Sequence, residues 1–143
     1  MSLIKYDYTS SWNDDGTIAK TPLLEIEVVK NTRNFKSLAL VDSGSYMTLM
    51  NGDIADFLGI EESKCPRKQV GGITGNNDGF VCDVDLYIKH FQEKITMPVL
   101  FLRGLRVSAL LGHAGFFDSY RVKFEKDHDI FELSQSPLKK YRS

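Results

Sequence analysis

The feature that most constrains this chain is a two-residue alternation of apolar and polar side chains. Leu24, Ile26 and Val28 alternate with Glu25 and Glu27, the pattern of a strand with one face in a core and the other in water. The same period returns from Phe80 to Lys89, with Cys82, Val84, Leu86 and Ile88 on one face. The polar group Asn31-Thr32-Arg33-Asn34 predicts a turn between the first strand and a second at Ser37–Val41. Leu23 to Val41 therefore reads as a β-hairpin whose second strand ends at Asp42. Further strands are expected at Tyr46–Met50, at Ile95–Leu102 with Pro98 at an edge or bulge, and at Ala109–Leu111, stopped by Gly112. Val122 and Phe124 open a last hairpin, turned by Lys126-Asp127-His128-Asp129 and closed by Ile130–Leu133.

Helical period is brief. Asn51 or Asp53 can cap a short helix in which Ile54, Phe57 and Leu58 fall at i, i+3 and i+4, with Gly59 placed to end it. Phe116, Phe117 and Tyr120 suggest a helical turn or two more. The expected class is all-β, mostly antiparallel, with one or two short helices.

Charge narrows the function. Lys plus Arg number 18 against 19 Asp plus Glu, a net charge of −1, which offers no basic face to nucleic acid or an anionic membrane. Apolar runs such as Met97–Leu102 and Ser108–Leu111 are far shorter than a membrane span. The start, Met-Ser-Leu-Ile-Lys-Tyr-Asp, has no apolar run behind a basic segment, so a cytoplasmic protein is expected. Cys65 and Cys82 form no Cys-x-x-Cys pair and have no His cluster beside them, so no zinc site is expected. A disulfide between them is conceivable, but two ordinary buried thiols are the expectation in a reducing compartment.

The residues that carry chemistry are Leu40-Val41-Asp42-Ser43-Gly44-Ser45. A lone carboxylate with its usual pKa near 4 is a poor base at neutral pH. Two carboxyls within hydrogen-bonding distance share one proton and split their pKa values. The ionised one then takes a proton from water while the neutral one polarises a carbonyl. Such a pair needs a rigid, narrow turn. Gly44 opens backbone paths closed to other residues, and the hydroxyls of Ser43 and Ser45 can hold Asp42 in place. The competing reading is a plain turn aspartate, since Asp-Ser-Gly favours turns by itself.

Val41-Asp42-Ser43-Gly44-Ser45 resembles the hydrophobic-Asp-[Thr/Ser]-Gly-[Ala/Ser] signature of aspartic peptidases, and other elements follow in the family's order. Two strands precede it, and a short helix ending in Leu58-Gly59-Ile60 comes soon after. Gly71-Gly72-Ile73-Thr74-Gly75 looks like the flap tip of retropepsins. Leu110-Leu111-Gly112 looks like the hydrophobic-hydrophobic-Gly element that supports the catalytic loop, followed by Phe116 to Val122 as helix and strand. The chain carries one signature where pepsin-like enzymes carry two, as the retropepsin-like peptidases do. The resemblance implies an acid-protease-type closed β-barrel acting as a homodimer, with Asp42 of each subunit catalytic and no cofactor. It also implies that the Ser43 hydroxyls reach across the twofold axis. Residues 1–20 are expected to form an N-terminal arm and possible dimer contact, 21–134 the peptidase domain, and 135–143 a polar tail.

Other motifs read more plainly. No Lys-[Ser/Thr] follows the glycines, which excludes a P-loop by pattern and leaves a flap or a surface loop. His113 is read as structural, because the family's mechanism needs no histidine; the stretch from Gly112 to Tyr120 is one residue longer than the commonest family spacing. Asp127-His128-Asp129 is read as a solvated turn and not a metal site, and Asp83 and Asp85 as the wet face of a strand. Trp12 anchors the arm to the body or to a partner, with nothing in the sequence to choose between them. The partners expected are a second copy of the chain and a peptide or protein substrate. The rival is a non-catalytic peptide-binding or interaction domain on the same fold; a small β-barrel adaptor with Asp42 as a turn residue is more distant.

Overall fold

The computed structural model describes residues 3–72, 75–138 and 141. Twelve strands follow one another: β1 Leu3–Asp7, β2 Thr9–Trp12, β3 Ile18–Thr21, β4 Leu23–Lys30, β5 Arg33–Val41, β6 Leu49–Asn51, β7 Arg67–Gly72, β8 Gly75–Ile88, β9 Ile95–Leu102, β10 Ala109–Leu111, β11 Tyr120–Glu125 and β12 Ile130–Gln135. One short helix, α1, runs Gly52–Phe57. A wide, kinked helical turn follows at His113–Phe117, where Ala114 is extended and Gly115 takes φ 90°. Among the described residues no helix is long and apolar enough to cross a membrane.

Six strands close on themselves in the order β4-β5-β10-β6-β9-β8, and β4 pairs back to β8. Four of these pairings are antiparallel, while β5–β10 and β6–β9 are parallel. The barrel is thus mixed, within the mostly antiparallel class expected. Alternation drives the closure: Leu24, Ile26 and Val28 of β4 and Val84, Leu86 and Ile88 of β8 are buried. Their inward faces share one core with Met50, Phe101 and Leu111. β7 pairs along the outer half of β8 as a hairpin that extends beyond the barrel. A separate sheet, β1-β12-β11, is packed at Phe131, against which Tyr6 stacks with centroids 5.2 Å apart. The first residues of the expected arm therefore pair with β12 of their own chain. β2 and β3 form a hairpin with Trp12 opposite Ile18, both exposed.

Several boundaries differ from the sequence reading. The β4–β5 turn is only Asn31-Thr32, with Asn31 left-handed at φ 57°. Asn is one of the few residues to accept that conformation, so the strands run closer to the tip than four polar residues suggest. The strand expected at Tyr46–Met50 begins only at Leu49, because residues 45–48 are spent on the loop that follows Asp42. Phe57 was assigned to the apolar stripe of α1 but lies 55% exposed. It packs edge-on against Phe35 on the barrel wall, 5.4 Å between centroids, and Ala55 takes its place in the core. Asn51 is the cap, accepting from Asp53 N, and Gly59 ends the helix at φ 74°. Pro98 sits opposite Asp83 in the part of β9 that β6 does not reach, as a residue without an N–H requires.

Candidate active site

Asp42 follows the last residue of β5, and its loop is clamped from below by the strand parallel to it. The Asp42 N–H donates to the carbonyl of Leu111 at 3.0 Å, continuing the β5–β10 ladder. Gly44 N–H donates to Asp42 Oδ1 at 2.9 Å, so the turn itself orients the carboxylate. Ser45 N–H donates to the Asp42 carbonyl at 3.2 Å, and Ser45 Oγ donates to Met47 O at 2.7 Å. Asp42 is half-buried, while Ser43 and Gly44 lie on the surface.

The support beneath is Leu110-Leu111-Gly112. A Cβ on Gly112 would stand 2.3 Å from the carbonyl oxygen of Met47 and 2.6 Å from that of Ser45. Only glycine lets the loop backbone pass so close. Gly112 N–H donates to Thr48 Oγ1 at 3.1 Å, inside the fold where Thr48 is fully buried. His113 N–H donates to Ser45 O at 2.9 Å and Ala114 N–H to Tyr46 O at 2.7 Å. The loop from Asp42 to Thr48 is thereby tied to residues 111–114 along most of its length.

His113 does more than fill space. Its Nε2 lies 2.5 Å from the carbonyl oxygen of Ser43. A carbonyl only accepts, so Nε2 carries the proton and donates. The ring also lies against Phe117, with centroids 5.3 Å apart. The imidazole thus fixes the Ser43–Gly44 peptide of the Asp42 loop, a contact across 70 residues that no local pattern announces.

Beside this loop stands the β7–β8 hairpin. Its ladder is paired out to Gly71↔Asn76 and Gly72↔Gly75; Ile73 and Thr74, named as the centre of the flap tip, lie outside the described residues. Lys68 on β7 donates from Nζ to Met47 Sδ at 3.6 Å, which brings the hairpin against the Asp42 loop. The hairpin root is braced by charge. Arg67 pairs with Asp78 at 2.6 Å and with Glu62, and Arg103 joins Glu62 at 3.0 Å to Asp56 on α1. Hydrogen bonds from Arg67 and Arg103 hold the Glu62 carboxyl below its ordinary range, and Arg103 does the same for Asp56. These residues carry no signal in the sequence, since an ion-pair network closes only in three dimensions.

Elsewhere, Asp129 of the Asp-His-Asp turn meets Lys126 at 2.8 Å and Lys20 at 3.4 Å. Among the described residues no group of three or more His, Cys, Asp or Glu side chains is placed to hold a metal ion.

A barrel with the acidic loop on one of two parallel pairings, a glycine supporting it and a hairpin beside it define the retropepsin-like fold. The chain superimposes on a retropepsin-like aspartic protease from Rickettsia conorii with a TM-score of 0.60 at 18% identity, over 92% of this chain and 91% of that one. It also superimposes on the retroviral protease-like domain of Ddi1 from Leishmania major, TM-score 0.55 and 14% identity, over 81% of this chain and 90% of that one. No family model matches the sequence, and no curated protein matches it. The fold is shared at 14 to 18% sequence identity.

Proposed function

We propose that the chain is an aspartic endopeptidase that acts as a homodimer, with one Asp42 from each subunit at the twofold axis. The observation that carries this reading is the clamped loop. Half-buried Asp42 sits on a turn that its own Oδ1 helps to close, over a glycine whose backbone tolerates no side chain. A plain turn aspartate makes the same Oδ1 bond, but it needs neither the close glycine beneath it nor the ties from residues 111–114.

In the dimer the two Asp42 carboxyls share one proton. The ionised carboxylate takes a proton from a bound water as its oxygen adds to the scissile carbonyl carbon. The protonated carboxyl donates to the carbonyl oxygen. Collapse of the tetrahedral adduct breaks the C–N bond, and the amine leaves with a proton from the dyad. Ser43, exposed on the loop, meets its mate across the axis, and Ser45 holds the loop's inner turn. The substrate lies extended between the Asp42 loop and the hairpin carrying Gly71, Gly72 and Gly75, hydrogen-bonded as an added strand. The β2–β3 hairpin, with exposed Trp12 and Ile18, extends the subunit contact.

Cleavage of a mixed peptide library between pH about 4 and 7 tests this reading. Wild type is expected to cut and Asp42→Asn to be inert while keeping its thermal unfolding midpoint. Equal cleavage by both would sink the catalytic role. Binding of peptides without cleavage by either would favour a non-catalytic peptide-binding domain on this fold.

A further inference from the structure

The root of the β7–β8 hairpin brings the chain's two cysteines together. Arg67 pairs with Phe80, and Val81 N–H donates to Pro66 O at 2.9 Å. One step further in the same register Cys65 faces Cys82. Because Pro66–Val81 is the hydrogen-bonded pair, Cys65 and Cys82 occupy the next, non-hydrogen-bonded position. Opposed Cα atoms at such a position stand about 4.5 Å apart with side chains on one face. A disulfide spans Cα separations of about 4.4 to 6.8 Å. Cys65 is extended, at φ −104° and ψ 142°, so strand geometry persists to the residue itself.

The thiols are free and half-buried. Cys65 Sγ–H donates to Glu61 O at 3.3 Å and Cys82 Sγ–H to Asp83 O at 3.5 Å, and both side chains pack against the core. Burial first, and then the neighbouring Cys82 thiol, push the Cys65 thiol above its ordinary range.

We propose that Cys65 and Cys82 are a redox-sensitive pair that closes to an intramolecular disulfide under a glutathione-type oxidant, stapling the root of the hairpin. One cysteine thiolate attacks a sulfur of the small-molecule disulfide and expels one thiolate. The second cysteine, as its thiolate, attacks the protein sulfur of the mixed disulfide. The Cys65–Cys82 bond forms and the second small thiolate leaves. Two protein thiols are oxidised, one external disulfide is reduced to two thiols, and the cysteine protons pass to these leaving groups. The bond joins β8 to the segment entering β7 at the end away from the glycines, so the two strands cannot part at their root. That peptide turnover responds to this staple rests on the reading of the hairpin as a flap; formation of the bond does not.

The test uses the full chain, incubated with excess glutathione disulfide and alkylated without reduction. The expected product is a monomeric chain about 2 Da lighter than the reduced one, with a crosslinked peptide joining Cys65 to Cys82. Amide exchange across β7 and β8 is expected to slow about tenfold, and reduction should reverse it. Cys65→Ser and Cys82→Ser should each end as a one-glutathione adduct with unchanged exchange. A wild-type chain carrying two glutathiones, or linked only between molecules, would overturn the proposal. If the bond forms and slows exchange but peptide cleavage does not change, the staple stands and the flap reading fails.

Discussion

Gly112 is the residue on which the Asp42 loop depends most sterically. A methyl group there meets two backbone oxygens within 2.6 Å, and neither belongs to a side chain that could swing aside. Gly112→Ala is therefore expected to cost about 3 kcal/mol of stability, the upper end for overpacking, measured as a fall in the urea midpoint. His113 acts differently, through one hydrogen bond to the Ser43 carbonyl. His113→Ala should lower kcat about tenfold with KM little changed, matching a hydrogen bond of about 1.4 kcal/mol felt at the reacting group. His113→Gln, whose amide can donate from a similar reach, should recover most of it; equal losses in both variants would assign His113 to packing alone. That Gly44 and Gly112 surround the Asp42 turn was legible in the sequence, because the tight turn and the close approach admit few other residues. His113 was legible only as structural, since its partner lies on the far side of the barrel's connectivity. Glu62 and Arg103 were not legible at all.

At the scale of elements, β4 and the inner part of β8 could be read from period-two alternation, because each turns one face to the core, whereas β9, buried on both faces from Val99 to Leu102, showed only as an apolar run. The ends of β6 and the tip of the β4–β5 hairpin could not. Loop hydrogen bonds shorten β6, and a left-handed Asn31 extends the hairpin. Nor could the bracing of the β7–β8 root, which depends on Arg67 and Arg103 meeting Glu62, Asp56 and Asp78. Carboxyls held below their ordinary range stabilise the fold at every pH above their unfolded values near 4 to 4.5. That contribution is lost as pH falls through the lower folded values. The thermal midpoint should therefore drop on going from pH about 5 to pH about 3, and Glu62→Gln should flatten that slope while lowering the midpoint at pH 7 slightly. An unchanged slope in the variant would mean that other carboxylates govern acid unfolding.

For the whole molecule, the chain holds one acidic loop, and the chemistry proposed needs two. The resemblance implied a second copy but not where it would sit, because local alternation and short motifs mark the core and the loop and leave the surface that would face a twofold mate unmarked. The closed barrel leaves the Asp42 loop with Ser43 and Gly44 at the surface and Tyr46 73% exposed, available to a twofold mate. Sedimentation at tens of micromolar is expected to show a dimer whose dissociation on dilution parallels the loss of specific activity; a strict monomer with full activity would be incompatible with a shared dyad.

The most direct test mixes wild-type chains with Asp42→Asn chains at fixed total concentration and allows subunits to exchange. If each site takes one Asp42 from each of two chains, activity follows the square of the wild-type fraction, so an equal mixture retains about one quarter. Activity in simple proportion to the wild-type fraction, about one half in the same mixture, would show that each chain works alone. It would contradict the shared site.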